Sequence, residues 1–231
     1  EKQGIIFVVL AYVFWGFMPI YWKLLEHVSS DEILSGRVIW SFIFTFMLVI
    51  VGRNLNQLRL DLKDLWANQK SFWGLFLASY LVSGNWFTYI YAVNAGYIVQ
   101  TSLGYYINPL LSILLGIVFL KERLSRAQQF SVLLAAVGVI ILTVSYGGIP
   151  WIAFTLAITF ALYGLIKKSI KIDALRGLTI ETFFVLPVAL VYFIYLVVSD
   201  KAVFFNTDVT FLYLTLYVLS KSLISASSGV L

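Results

Sequence analysis

Two charged side chains, Arg37 and Glu181, sit inside otherwise apolar stretches of this 231-residue chain. A charge at the centre of a membrane costs about 2.5–3.5 kcal/mol on insertion scales. Each residue therefore reads in one of two ways. It lines a cavity where a polar or ionic solute meets it, or it snorkels to the interface and is pinned by a local hydrogen bond. Asn85 and Asn108 carry amides that need partners in hydrocarbon, either as glue between helices or as the wall of a polar cavity. They occur among helix breakers and rings: Trp15, Gly16 and Pro19; Gly84, Trp86, Tyr89 and Asn94; Gly104, Tyr105, Tyr106 and Pro109; and, further on, Pro187. A proline inside a membrane helix frees a backbone carbonyl, which only protein, a polar side chain or water can satisfy. Taken together these groups point to a polar cavity with Trp15, Trp86, Tyr89 and Tyr105 as stacking walls. Taken singly, each ring reads equally well as an interfacial belt or packing residue.

Other chemistries find no residues here. The chain has no cysteine and one histidine, His27, which lies in a polar break. A disulfide framework, a thiol nucleophile and a histidine-based metal site or triad are all excluded. No glycine-rich phosphate loop follows a strand, and no paired carboxylates or nucleophile–base set can be found. The expectation is a protein that is not an enzyme and takes no metal and no cofactor.

The elements that would position these residues follow from composition. Hydrophobic residues make up 61% of the chain and charged residues 12%, with a mean hydropathy of +0.93. Soluble domains are about half apolar and about a quarter charged, and a fold of this size cannot hide so much apolar surface. The apolar runs are continuous rather than alternating, so they read as helices and not as barrel strands. They fall at 4–22, 33–51, 72–93, 99–120, 127–144, 151–166 and 178–198, with an eighth candidate from 209 to about 219. The longest polar break, 61–70, has mixed charge and reads as a cytoplasmic surface helix or loop. An all-α, polytopic membrane bundle is expected, with the lipid bilayer as its solvent. The sequence pI near 9.3 does not imply nucleic acid, because the basic residues form short clusters between spans rather than one face.

Those clusters give the orientation. Arg53, Arg59, Lys63 and Lys70 fall between spans two and three; Lys121, Arg123 and Arg126 between four and five; Lys167, Lys168, Lys171 and Arg176 between six and seven. The breaks between spans three and four, and five and six, hold no basic residue. Cytoplasmic loops retain lysine and arginine, so the N-terminus is expected in the cytoplasm of a cell whose inner membrane holds the protein.

Spacing suggests an internal repeat. Lys23 precedes Arg37 by fourteen residues, and Lys167 precedes Glu181 by the same distance. Tyr12, Trp15 and Gly16 are echoed by Phe160, Tyr163 and Gly164, although this second offset differs from the first by four residues. If span six begins a second copy of a five-span unit, that copy enters the membrane the opposite way. The expected division is 1–146 for a first repeat and 147–231 for an incomplete second one, and such repeats place substrate between them near the midplane.

At Ala11-Tyr12-Val13-Phe14-Trp15-Gly16-Phe17-Met18-Pro19, Arg37-Val38-Ile39-Trp40-Ser41 and Ser102-Leu103-Gly104-Tyr105-Tyr106-Ile107-Asn108-Pro109 the chain resembles the EamA-type drug/metabolite transporters, and more closely their RarD branch. Gly84-Asn85-Trp86, Leu120-Lys121-Glu122-Arg123, Phe160-Ala161-Leu162-Tyr163-Gly164 and Ile180-Glu181-Thr182 continue the likeness, which covers roughly residues 4 to 200. The resemblance implies ten helices in two inverted five-helix repeats, alternating access, and export of small organic solutes. It adds Pro19 and Tyr163 to Trp15, Arg37, Asn85, Trp86, Tyr89, Tyr105, Asn108 and Glu181 as candidates for the substrate cavity. The likeness stops near Asn206, before a serine-rich end, so a second repeat truncated after the seventh or eighth helix is expected. The alternatives are a seven-helix receptor or sensor, which the internal N-terminus argues against, and a remnant that transports nothing. Homo-oligomerisation is left open.

Overall fold

The computed structural model describes residues 28–202, together with Val9, Val13, Gly16 and Phe17. The described residues form seven helices: α1 (Ser30–Val51), α2 (Leu55–Ala67), α3 (Gln69–Asn94), α4 (Ile98–Leu120), α5 (Arg126–Ser145), α6 (Trp151–Ser169) and α7 (Ala174–Val198). Spans two to seven each become one helix, with ends displaced by four residues at most. Apart from those four residues, the first span lies outside the described residues, as do the eighth candidate and His27.

Local chemistry sets the ends. Asp173 accepts hydrogen bonds from the Leu175 and Arg176 amides and so starts α7 before its apolar run begins. Ser125 and Gln128 form a reciprocal capping box that starts α5. Between α3 and α4, Gly96 takes φ +82°, and the amides of Gly96 and Tyr97 bond back to Val93 and Ala92, closing α3 in a tight left-handed turn.

Helices α1, α4, α5, α6 and α7 are long and apolar enough to cross a membrane. Helix α3 has 26 residues, about 39 Å at 1.5 Å per residue. Its Ser71, Ser79, Ser83, Asn85, Thr88 and Asn94 keep it outside that apolar set. Helix α2 is amphipathic: Leu58 and Leu65 are buried while Arg59 and Lys63 are exposed. It overlaps the long polar break, 61–70, which the sequence leaves as a surface helix or loop.

The chain forms two compact units. The first contains α1, α2, α3 as far as Ser79, and α7; the second runs from Tyr80 to Lys171. In the first, α1 and α7 pack antiparallel: Val38 lies against Val185 and Ala189, and the Phe42 and Phe183 rings are 5.9 Å apart. Phe184 packs edge-on to Phe72 and Phe76 of α3. Asp61 of α2 accepts a hydrogen bond from Arg176 of α7 at 2.5 Å, with both side chains largely buried.

In the second unit α4 and α6 pack parallel around Leu103, Ile107, Ala153 and Ala157. They come closest at Gly104, where an added Cβ would stand 3.1 Å from the Ala153 carbonyl oxygen and 3.2 Å from the Leu156 Cβ. A side chain there would push the neighbouring helix back by a few tenths of an ångström. Near one end of this pair, the Gln100 amide donates to the Tyr146 hydroxyl (2.7 Å) and accepts from the Ile152 amide (3.2 Å). Near the other, Lys168 pairs with Glu122. Other small residues behave differently: the Glu122 carboxylate fills the space beside Gly116, and a Cβ on Gly138 would meet nothing within 4 Å. Helix α5 has no buried residue among those described, as a lipid-facing helix would.

Candidate functional site

The second unit contains a small pocket, partly open to the outside, with a cavity volume of roughly 20 Å³. Helix α3 contributes Asn85; α4 contributes Thr101, Gly104, Tyr105 and Asn108; α6 contributes Leu156 and Phe160. Asn108 is ten residues from the start of α4, about 15 Å along the helix. None of these lining residues carries a formal charge at neutral pH.

The conformation of Asn85 follows from its partners. The residue is 8% exposed, and its amide nitrogen lies 2.8 Å from the Leu156 carbonyl oxygen and 2.8 Å from the Thr159 hydroxyl. A carbonyl oxygen can only accept. The Thr159 hydroxyl donates to the Thr155 carbonyl at 2.7 Å, so toward Asn85 it also accepts. Both N–H groups of Asn85 are therefore used within the protein. The amide ties α3 to α6 and cannot be flipped without setting like against like.

Aromatic rings continue from the pocket. Trp86 meets Tyr89 edge-on at 6.0 Å, and Tyr89, itself buried, meets Tyr105 at 5.8 Å. Tyr163 is half-buried and lies 5.8 Å from Phe160. On α4, Pro109 has no N–H to give to the Tyr105 carbonyl one turn earlier. The Ser112 hydroxyl lies 3.4 Å from Asn108 Oδ1.

The structure thus brings Asn85, Tyr105 and Asn108 together on one pocket, with Trp86, Tyr89 and Tyr163 in ring contact beside it. Arg37 and Glu181 belong to the other unit, on α1 and α7. Each stands seven residues from the start of its helix, about two turns in rather than one, because both helices begin earlier than their apolar runs. Glu181 is 2% exposed and Arg37 half-buried. In the antiparallel register of Val38 with Val185 and Ala189, Glu181 falls near the level of Thr45, offset from Arg37 by about 10 Å along the axis. Trp15 and Pro19 lie outside the described residues.

The sequence did not single out Thr101, Leu156 or Thr159 for this site. Leu156 and Thr159 hold Asn85 through an oxygen that any sequence position or any span threonine could offer. The one signal for them was the unmet need of the Asn85 amide itself.

The EamA-like transporter family matches residues 2–144. The chain is 48% identical over 196 residues to the uncharacterized transporter YojE of Bacillus subtilis, covering 84% of this chain and 65% of that protein. It is 44% identical over 191 residues to Protein RarD of Salmonella typhimurium, covering 83% and 64%, and 42% identical over 191 residues to Protein RarD of Escherichia coli, covering 83% and 63%. The chain therefore spans just under two thirds of the length of these curated relatives. No solved structure matches it. An apolar multi-helix architecture and these alignments agree: the chain belongs to the EamA-like transporter family.

Proposed function

We propose that this chain moves small organic solutes across the inner membrane, binding them at the pocket between α3, α4 and α6 and exporting them by alternating access. The observation that carries the reading is an uncharged, mostly apolar pocket with Asn85, Thr101, Tyr105 and Asn108 in its wall, set among apolar helices. Such a site desolvates an organic molecule and fixes it with a few polar contacts. The seven-residue placement of Arg37 and Glu181, on α1 and α7, supports the view that spans two and seven are counterparts in two inverted five-helix repeats.

The basic breaks support a cytoplasmic N-terminus, and the helix directions agree with the alternating passages it requires. Within the first unit α1 and α7 run antiparallel, and within the second α4 and α6 run parallel. The alternation of basic and non-basic breaks demands these same directions. The Asp61–Arg176 and Glu122–Lys168 pairs each join two breaks that basic charge assigns to the cytoplasm.

Everted vesicles containing the chain test the proposal with labelled amino acids and amphiphilic drugs. Saturable, gradient-dependent accumulation is expected. Asn108→Leu should reduce it by about tenfold or more, the loss of one or two buried hydrogen bonds, at unchanged membrane abundance. Uptake by that variant equal to the parent would remove the pocket from the mechanism.

A further inference from the structure

We propose that Asn85 is a fixed hydrogen-bond acceptor, so that the pocket selects uncharged solutes presenting an N–H or O–H donor beside a flat apolar body. The inference rests on the pocket being the transport site. Its basis is the count of hydrogens on one amide. Both Asn85 N–H groups are given to oxygens that can only receive them, Leu156 O and Thr159 Oγ1. What the residue has left to offer is Oδ1, held in orientation by those two bonds. A group that meets it must donate.

Charge narrows the class. A carboxylate or phosphate would bring lone pairs against Oδ1. An ammonium could donate, but none of the described residues lining the pocket is a carboxylate, and a desolvated cation without an anionic partner is strongly disfavoured. A neutral amide, alcohol or phenol meets both conditions. Tyr105 and Phe160 supply the apolar surface for the body of the molecule. Sites built to hydrogen-bond a substrate reject the analogue that lacks the group, because their own polar atom is then left without a partner.

Four compounds of one shape test this: benzamide, N,N-dimethylbenzamide, benzoate and benzylammonium. Their binding to the chain in nanodiscs can be measured by ligand-observed NMR. Benzamide is expected to bind about tenfold or more tightly than the other three. Thr159→Val removes one of the two acceptors that occupy Asn85 and leaves the Leu156 bond. With an N–H released, the variant should still bind benzamide, while its preference over the dimethyl amide falls about threefold or more. Replacement for shape alone would not move that ratio. Equal binding of benzamide and N,N-dimethylbenzamide, equal binding of either ion, or an unchanged ratio in Thr159→Val would overturn the inference and leave the pocket as a binding site. Failure of all four to bind saturably would overturn the pocket reading as well.

Discussion

Glu181 has 2% of its surface exposed in a helix of the most apolar kind. Holding such a group inside an apolar helix is costly, and in membrane proteins a carboxylate of this kind is a candidate for an ion path. We propose that in the transport cycle Glu181 meets a cationic group and Arg37 an anionic or polar one. Glu181→Gln keeps the shape and removes the charge, and both it and Arg37→Ala should lower the rate of vesicle transport about tenfold. A wild-type rate in both variants would end these assignments. Residues such as these stand out in the sequence because a charge or amide in an apolar run has no cheap explanation. Thr159 was not legible. A threonine in a membrane helix bonds its own backbone four residues back, as Thr45, Thr143 and Thr182 do here. Only the fold shows which of them also receives a bond from another helix. Glycines behaved likewise. Gly104 and Gly138 look alike in sequence, yet one admits a neighbouring backbone and the other faces nothing within 4 Å.

Among the elements, α5 is the simplest to reason about. Its Phe130, Leu133, Leu134, Ile140 and Ile141 are each more than half exposed, and none of its residues is buried. In water such a helix would aggregate, whereas in lipid it is solvated. A charge at its exposed centre should therefore be punished as if in hydrocarbon. Ile140→Arg is expected to cost about 2.5–3.5 kcal/mol of insertion free energy and to lower the membrane-integrated yield, with Ile140→Phe near the parent. Equal yields would show that α5 does not face lipid. Helix existence was readable throughout 33–198 because uninterrupted apolar runs leave few options. The partners were not readable. Nothing in the sequence says that α4 packs on α6 or α1 on α7, since the apolar runs look alike and lipid competes for every face.

For the whole molecule, the sidedness of the connections can be tested directly, because the chain has no cysteine. Single cysteines at Lys63, Glu122 and Lys171 should react with an impermeant maleimide only in everted vesicles, and those at Gly96 and Gly148 only in intact spheroplasts. The reverse pattern would invert the proposed orientation, and a mixed pattern would break it. Charge alone supplies the proposed sidedness, and this labelling tests it. The division into two compact units was not readable. Each unit draws on helices from both halves of the chain, and such long-range pairing leaves no trace in local composition.

The α4–α6 pair is fastened unequally along its length. At one end the buried Gln100 joins Tyr146 to the start of α6, and at Gly104 the backbones touch. At the other end stands Glu122–Lys168, with side chains 43% and 61% exposed, a pair of the class worth about 0–1 kcal/mol. One end is riveted and the other merely buttoned, so any rocking of α6 against α4 has its fulcrum at Gly104. The basic end of the pair yields first.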